Sequence, residues 1–202
     1  MGFENFYLPG ATTVGIRCKD GVVLASEKRL TFGRGIQSKS VKKVFKITDQ
    51  IGIAFAGLVS DFQVLRDTIG AYINLYGLDH KKTISVNAAA KQTSTLLYSM
   101  RFFPLFTNTI IGGIDENGPK ILALDAVGSL IEDDYATIGS GSEIAIGVLE
   151  NEYTKNMNVE EGKKLAIRAI QSAAQRDPTS GEGIDVLAIQ KTKLEEFSAA
   201  IK

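Results

Sequence analysis

The chain has 202 residues, a length that can bury a substantial core, and no linker divides it, so we expect a single domain. Lys and Arg number 23 and Asp and Glu also number 23, so the formal charge is zero and nucleic acid is not expected as a partner. Cys18 is the one cysteine, which excludes an internal disulfide framework and a cysteine-rich metal site and favours a reducing, cytoplasmic location.

Two other classes of protein are disfavoured. No run approaches about 18 apolar residues, and residues 1–10 lack the basic and apolar regions of an exported protein, so we expect neither membrane insertion nor export. His80 is the sole histidine, and its polar surroundings are typical of a solvated loop. A Ser-His-Asp or Cys-His catalytic group is therefore not expected.

Strands are predicted at the start of the chain and again after two helices. Apolar residues alternate over residues 12–19, Asp20-Gly21 has turn chemistry, and residues 22–26 have the composition of a returning strand. The chain therefore opens with a hairpin. Further strands are predicted at residues 43–48, 51–57, 107–111, 120–125, 129–131, 135–138 and 184–190.

Four helices are predicted from apolar spacing and from end signals. Ser60 and Gln63 form a capping box that opens the first helix, and Gly77 ends it. Ser85 caps the second helix, which cannot continue through Pro104. The remaining two are predicted at residues 143–150 and after the Asn158 and Glu161 capping box.

The order of these elements predicts the fold class. Blocks of strands alternate with pairs of helices, and each sheet and helix must bury its apolar side. We expect an α+β protein built as a four-layer αββα sandwich, with two antiparallel sheets face to face and helices outside. A two-layer α+β fold uses the same elements and stays open at this point. Residues 191–202 are expected to be a mobile or weakly helical tail.

The glycine-rich segment Gly139-Ser140-Gly141-Ser142, with Ala145, matches the G-x-G-x-x-A pattern of dinucleotide-binding turns. That pattern normally opens a βαβ unit after a long first strand, whereas here it follows antiparallel strands late in the chain. A flexible strand-to-helix turn that brings backbone N–H groups close to another segment is the better interpretation.

Lys43 belongs to a basic cluster with Lys39 and Lys42 at the start of a predicted strand. Most such lysines are solvated edge residues. The alternative is a lysine buried against a carboxylate such as Glu27, where its surroundings would tune its protonation for proton transfer. The residues alone leave both interpretations open.

The segment Gly10-Ala11-Thr12-Thr13-Val14-Gly15-Ile16 resembles the start of the mature part of a proteasome β subunit, where the first threonine becomes the nucleophile after self-cleavage behind a glycine. The resemblance extends to residue 190, is closest to archaeal β subunits, and implies the N-terminal nucleophile hydrolase fold. Its other motifs are Ala25-Ser26-Glu27-Lys28-Arg29, Lys42-Lys43, Ala56-Gly57-Leu58-Val59, Gly112-Gly113-Ile114-Asp115, Gly139-Ser140-Gly141-Ser142 and Gln175-Arg176-Asp177.

The resemblance implies a threonine-type endopeptidase, in which the threonine hydroxyl attacks the scissile carbonyl and an acyl-enzyme forms. Lys43 matches the family's essential lysine, and Glu27 matches its charge partner. Gly57 matches the glycine whose backbone N–H stabilises the oxyanion. The polar residues that surround the threonine in the family match Ser140, Asp177 and Ser180.

The resemblance also implies substrate-binding residues. Thr31 matches the residue whose backbone pairs with an extended substrate. The side-chain pocket would be lined by Leu30, Val41, Phe45, Phe55, Val59 and Gln63. Such a pocket favours cleavage after apolar residues.

Ala11 departs from the family pattern because it stands where the nucleophilic threonine belongs. A methyl group can neither attack a carbonyl nor lose a proton, so we expect no peptide hydrolysis by this chain alone. The same hydroxyl would cut between Gly10 and Ala11, so residues 1–10 should remain attached as a propeptide to the domain at 11–202. Either an engineered Thr→Ala substitution or a naturally silent scaffold subunit explains Ala11. The engineered substitution is favoured, because the other matched positions all keep the chemistry of the family.

The partners that the resemblance implies are proteasome α subunits and other β subunits in stacked seven-membered rings, an ATP-dependent regulatory cap and unfolded polypeptides. No cofactor and no metal is implied. Two alternatives to a protease subunit are a purely structural subunit and another amidohydrolase of the same fold. The segments Gln175-Arg176-Asp177 and 139–142 argue against the amidohydrolase.

Overall fold

The computed structural model describes residues 10–32 and 35–201. The first sheet has the order β10-β1-β2-β11-β12 and is antiparallel throughout. Its strands are β1 (Thr13–Cys18), β2 (Gly21–Glu27), β10 (Tyr135–Ile138), β11 (Ile184–Gln190) and β12 (Leu194–Ala199). The opening hairpin is confirmed, since Cys18 pairs with Gly21 and Thr13 with Ser26.

The second sheet has the order β5-β6-β7-β8-β9 and is also antiparallel. Its strands are β5 (Val44–Lys46), β6 (Ile51–Gly57), β7 (Thr107–Asp115), β8 (Gly118–Leu124) and β9 (Leu130–Asp133). Side chains alternate across β6, so Ile53 and Phe55 pack toward helices while Ala54 and Ala56 face the first sheet.

Helices cover the outer face of each sheet, which confirms the αββα sandwich. The helices are α1 (Val59–His80), α2 (Val86–Ser99), α3 (Ser142–Glu152) and α4 (Val159–Ala174). α1 and α2 share an apolar core with the second sheet, and α3 and α4 share one with the first. A third core lies between the sheets and includes Ala11, Leu24, Ala56 and Ile110.

Two helix starts were predicted correctly. The Ser85 hydroxyl accepts a hydrogen bond from the Ala88 N–H at 3.2 Å. Asn158 and Glu161 form the reciprocal capping box of α4, with both bonds present. These signals are local, so neighbouring elements do not change their outcome.

The predicted ends of α1 are wrong. The helix begins at Val59 behind Leu58, whose apolar side chain makes no cap bond, so Ser60 is not the N-cap. In the first turn Asp61 accepts the N–H of Phe106 at 2.7 Å, which ties the start of α1 to the residue before β7. The helix also continues past Gly77 to His80 and ends at Lys81 in the left-handed conformation. A helix can accommodate an interior glycine when its other side chains are packed.

The prediction of a mobile or weakly helical C-terminal tail is wrong. Residues 194–199 form β12, which pairs with β11 along its whole length. Phe197 packs on the core beneath α4, and the Lys163 ammonium bonds Glu195 at 3.1 Å. Backbone pairing with β11 and this packing hold a segment whose own sequence pattern is weak.

The sequence analysis also missed a short hairpin that lies between β2 and β5 along the chain. It consists of β3 (Leu30–Phe32) and β4 (Gly35–Ser38), and residues 33–34 between them lie outside the described part of the chain. The predicted propeptide lies outside it too, apart from Gly10. Among the described helices, none is long and apolar enough to cross a membrane.

Candidate active site

Ala11 lies at the start of β1 with its side chain buried between the sheets. Its N–H donates to the Ser140 hydroxyl at 3.1 Å, and its carbonyl accepts the Gly141 N–H at 3.2 Å. Gly139 has φ +97°, and a Cβ there would overlap the Ala11 carbonyl. The strand-to-helix turn predicted at residues 139–142 is present, and it brings the Gly141 N–H to the Ala11 carbonyl.

Lys43 and Glu27 form a buried ion pair close to the start of β1. The Lys43 ammonium also donates to the Arg29 carbonyl at 2.6 Å. The second oxygen of Glu27 accepts the N–H of Arg29 at 2.6 Å and that of Gly181 at 3.1 Å. The interpretation of Lys43 as a solvated edge residue is wrong, because Lys43 is buried and its ammonium is paired with Glu27 and the Arg29 carbonyl inside the protein.

Burial shifts the pKa values of both members of this pair. It lowers the pKa of the Lys43 ammonium below its ordinary value of 10.5, and the attraction of Glu27 offsets only part of that change. It also raises the pKa of Glu27 above 4.5, against the opposing effect of Lys43 and the two N–H donors. A lysine whose pKa is lowered gives up its proton more readily than a solvated lysine, which suits it to act as a base.

Asp177 is the centre of a hydroxyl network next to Ala11. Its Oδ2 accepts the hydroxyls of Ser140 at 2.6 Å and Ser180 at 2.7 Å, and its Oδ1 accepts that of Thr179 at 2.6 Å. Burial alone would raise the pKa of Asp177, but these bonds lower it below the ordinary 3.8. Asp177 therefore stays ionised and fixes three hydroxyl groups at once.

The two threonines after Ala11 are buried and hydrogen-bonded. The Thr12 hydroxyl lies 2.7 Å from the Ser180 hydroxyl, and the Thr13 hydroxyl donates to the Phe55 carbonyl at 2.8 Å. Ser26 lies opposite Thr13 in the sheet, and their hydroxyls are 2.6 Å apart. Both threonine side chains are therefore engaged in holding β1 to its surroundings.

Gly57 ends β6 with φ +134°, a conformation that L side chains rarely adopt. A Cβ there would overlap the Phe106 carbonyl and lie 2.8 Å from the Thr107 Cα. Its neighbour Ala56 lies in the same core between the sheets as Ala11. Only glycine fits this position, where the end of β6 approaches the start of β1.

The residues predicted to bind substrate are brought together in part. Phe55, Val41, Phe45 and Val59 belong to one apolar cluster under α1, and the rings of Phe45 and Phe55 are 6.1 Å apart. Phe55 is fully buried, so it can form only the floor of a pocket. Gln63 is exposed one helical turn beyond Val59, and Leu30 and Thr31 lie together in β3.

The comparisons with known proteins agree on one family. The model of the proteasome subunit family matches residues 8–189. The chain belongs to the proteasome subunit family. It is 48% identical to proteasome subunit beta 1 of Hyperthermus butylicus, with the whole of both chains covered. It is 50% identical to proteasome subunit beta 2 of Caldivirga maquilingensis, covering 92% of this chain and 93% of that one. Proteasome subunit beta 1 of Nitrosopumilus maritimus is 44% identical, with 98% and 100% covered.

These relatives confirm the resemblance of this proteasome subunit to archaeal β subunits. The roles of two residues of its site, Arg29 and Thr179, were not predicted from the sequence. Arg29 reaches the loop after α4, where its guanidinium donates to the Pro178 carbonyl at 2.7 Å and bonds Glu182 at 3.1 Å. Thr179 contacts Asp177 and Ser140. Only the proximity of Thr179 to Asp177 in the sequence could have indicated it.

Within residues 10–32 and 35–201, no group of three or more His, Cys, Asp and Glu side chains is placed to hold a metal ion. Burial raises the pKa of the Cys18 thiol to about 12. Cys18 is therefore a packing residue and not a reactive thiol.

Proposed function

We propose that this chain is a β subunit of the proteasome core particle, a threonine-type endopeptidase that degrades unfolded proteins inside a barrel, and that the chain itself does not hydrolyse peptides. The observation that carries this is the position of Ala11. Its backbone is held by Ser140 and Gly141 beside a buried Lys43–Glu27 pair, and its side chain is a methyl group. The surroundings of a nucleophile are complete and the nucleophile is missing.

The residues around Ala11 have distinct roles in this proposal. With a hydroxyl on residue 11, Lys43 would accept its proton, and Glu27 would keep the lysine oriented. The N–H of Gly57 would donate to the oxyanion, a bond whose loss typically costs about 3 kcal/mol of barrier. Ser140 and Asp177, with Ser180, would hold the amino group of residue 11 and the local backbone.

Substrate binding would use two surfaces. The backbone of Thr31 in β3 would pair with an extended peptide, which gives binding without a demand on sequence. Phe55 would form the floor of the side-chain pocket, which would accept an apolar side chain of the substrate. Its walls would be Leu30, Val41, Phe45, Val59 and Gln63.

Residues 1–10 form a propeptide in this proposal, and residues 11–202 form the single domain. The cleavage site is the bond between Gly10 and Ala11. Without a hydroxyl on residue 11 the propeptide stays attached. The Ala11 nitrogen that donates to the Ser140 hydroxyl therefore remains part of an amide and does not become a free amine. Thr12 and Thr13 cannot replace the nucleophile, because both hydroxyls are buried and bonded.

The proposed partners are proteasome α subunits and other β subunits in stacked seven-membered rings in the cytoplasm, together with an ATP-dependent regulatory cap. Support for assembly comes from the family match over residues 8–189 and from the names of the relatives as β subunits. Gel filtration with and without the α subunit tests it. A stable monomer in the presence of the α subunit contradicts the proposal.

A second candidate function is a naturally silent subunit that acts as a scaffold beside an active β subunit. The contacts of Lys43 are consistent with it. Within the described residues the buried side-chain atoms that lack a partner are Arg29 Nε and Thr109 Oγ1, and the Lys43 ammonium is not among them. The site is thus hydrogen-bonded at Lys43 without any hydroxyl on residue 11.

The experiment that separates the two functions is Ala11→Thr, co-assembled with the α subunit. Intact mass reports loss of residues 1–10, and a peptide with an apolar residue before the scissile bond reports hydrolysis. Ala11→Val is the matched control because it has the shape of threonine without the hydroxyl. Processing and hydrolysis in the threonine variant alone support a disabled protease subunit. A retained propeptide without hydrolysis supports the scaffold.

A further inference from the structure

Gly10 is buried against the loop that follows α4. A Cβ added to Gly10 would overlap both Oγ1 and Cβ of Thr179 and would lie 2.6 Å from the Ser140 hydroxyl oxygen. Real Cβ atoms essentially never approach other atoms this closely, so either Thr179 or the Gly10 backbone would have to move.

Thr179 is not free to move aside. Its N–H donates to Asp177 Oδ1 at 2.9 Å, and its hydroxyl donates to the same oxygen at 2.6 Å. Rotation of the side chain away from Gly10 would break the hydroxyl bond to a carboxylate, which is stronger than a bond between neutral groups. The hydroxyl oxygen also lies 2.8 Å from that of Ser140.

We propose that Thr179 is a positioning residue. It restricts position 10 to glycine and thereby keeps the Gly10–Ala11 peptide bond within hydrogen-bond distance of Ser140. The part of this that concerns propeptide cleavage rests on the proposed function. The Ala11 N–H lies 3.1 Å from the Ser140 hydroxyl, and the Ser140 hydroxyl lies 3.3 Å from the Ala11 carbonyl. A side chain on residue 10 would push this peptide bond away from Ser140.

The first test uses the full chain with Ala11 in place, so it needs no cleavage. Thermal unfolding is compared for Gly10→Ala, Thr179→Gly and the double variant. Gly10→Ala is expected to lower Tm by roughly 3 to 10 °C, because overpacking is costly in a domain of this size. In the Thr179→Gly background the same change should lower Tm by less than about half as much, since the two nearest atoms, Thr179 Oγ1 and Cβ, are gone and only the close approach to the Ser140 hydroxyl oxygen remains.

Two controls accompany this cycle. Thr179→Val keeps the bulk of the side chain and loses the hydroxyl, so the effect of Gly10→Ala should persist in it. Gly147→Ala should not lower Tm, because a Cβ on this exposed residue of α3 meets nothing within 4 Å. The proposal is overturned if Gly10→Ala lowers Tm equally with threonine and with glycine at position 179.

The second test measures propeptide removal in the Ala11→Thr background by intact mass. Gly10→Ala should slow removal at least about tenfold. Adding Thr179→Gly should restore most of the rate, since the Gly10–Ala11 peptide bond can then return to its position next to Ser140. A loss of removal that Thr179→Gly leaves unchanged contradicts the proposal. If Ala11→Thr alone retains its propeptide, the proposed function fails, and the unfolding cycle still decides the role of Thr179.

Discussion

The Lys43–Glu27 ion pair joins the two sheets of the sandwich. Glu27 is the last residue of β2 in the first sheet, and Lys43 directly precedes β5 in the second. Their side chains are 0% and 2% exposed, so both charges have been removed from water. Such a pair is stabilising only while each charge keeps its partner.

Removal of one partner should therefore destabilise the protein strongly. Lys43→Met or Glu27→Gln is expected to cost about 3–5 kcal/mol of unfolding free energy, and the double variant should cost clearly less than the sum. Denaturant unfolding measures all three. Lys42→Met is the control, because Lys42 forms an exposed pair with Glu196 and should change stability by about 1 kcal/mol or less. Additive costs for Lys43 and Glu27 would contradict a coupled pair.

Asp177 should contribute stability that depends on pH. Its pKa in the folded protein is below the ordinary 3.8, so the unfolded chain binds protons first as the pH falls. The contribution is therefore complete above about pH 4 and is lost as the pH falls through the folded pKa. Asp177→Asn should cost about 1–3 kcal/mol near pH 7, and the difference from the parent should shrink near pH 3. Urea unfolding at both pH values measures this, and a difference that does not change with pH would contradict it.

Gly57 should not tolerate a side chain. Gly57→Ala combines a positive φ with overlap on the Phe106 carbonyl, so a loss of at least about 2 kcal/mol is expected. Gly70→Ala in α1 is the matched control. A Cβ there meets nothing within 4 Å, and alanine should stabilise the helix by about 0.5–1 kcal/mol. Equal effects in denaturant unfolding would show that position 57 is not special.

Phe197 should hold β12 on the sheet. Its ring packs on the core beneath α4 and lies 5.5 Å from the Lys163 ammonium. Phe197→Ala should speed hydrogen exchange in the β12 amides while those of β1 and β2 remain protected, because local opening needs fewer contacts to break. Glu196→Ala on the opposite face is the control and should leave exchange nearly unchanged. Uniform acceleration across the sheet would indicate global destabilisation instead.

Elements with strong local signals were predicted to the residue. β10 and β11 have the predicted bounds, and the capping box of α4 is present. The errors concern elements that contact segments distant in the sequence. α1 begins at Val59 and not behind Ser60, with Asp61 in its first turn bonded to the Phe106 N–H, and pairing with β11 turns a weak C-terminal pattern into β12.

The sequence by itself determined the alternating strands, the helical spacing, the order of strands and helices and the absence of a hydroxyl at position 11, because these depend on residue identity and near neighbours. Only the tertiary structure decided that Lys43 is buried on Glu27 and that Thr179 lies against Gly10. Residues 27 and 43 lie in different sheets, and residues 10 and 179 lie at opposite ends of the chain. Their contacts exist only in the folded protein, since burial and charge pairing depend on packing between segments that are distant in the sequence.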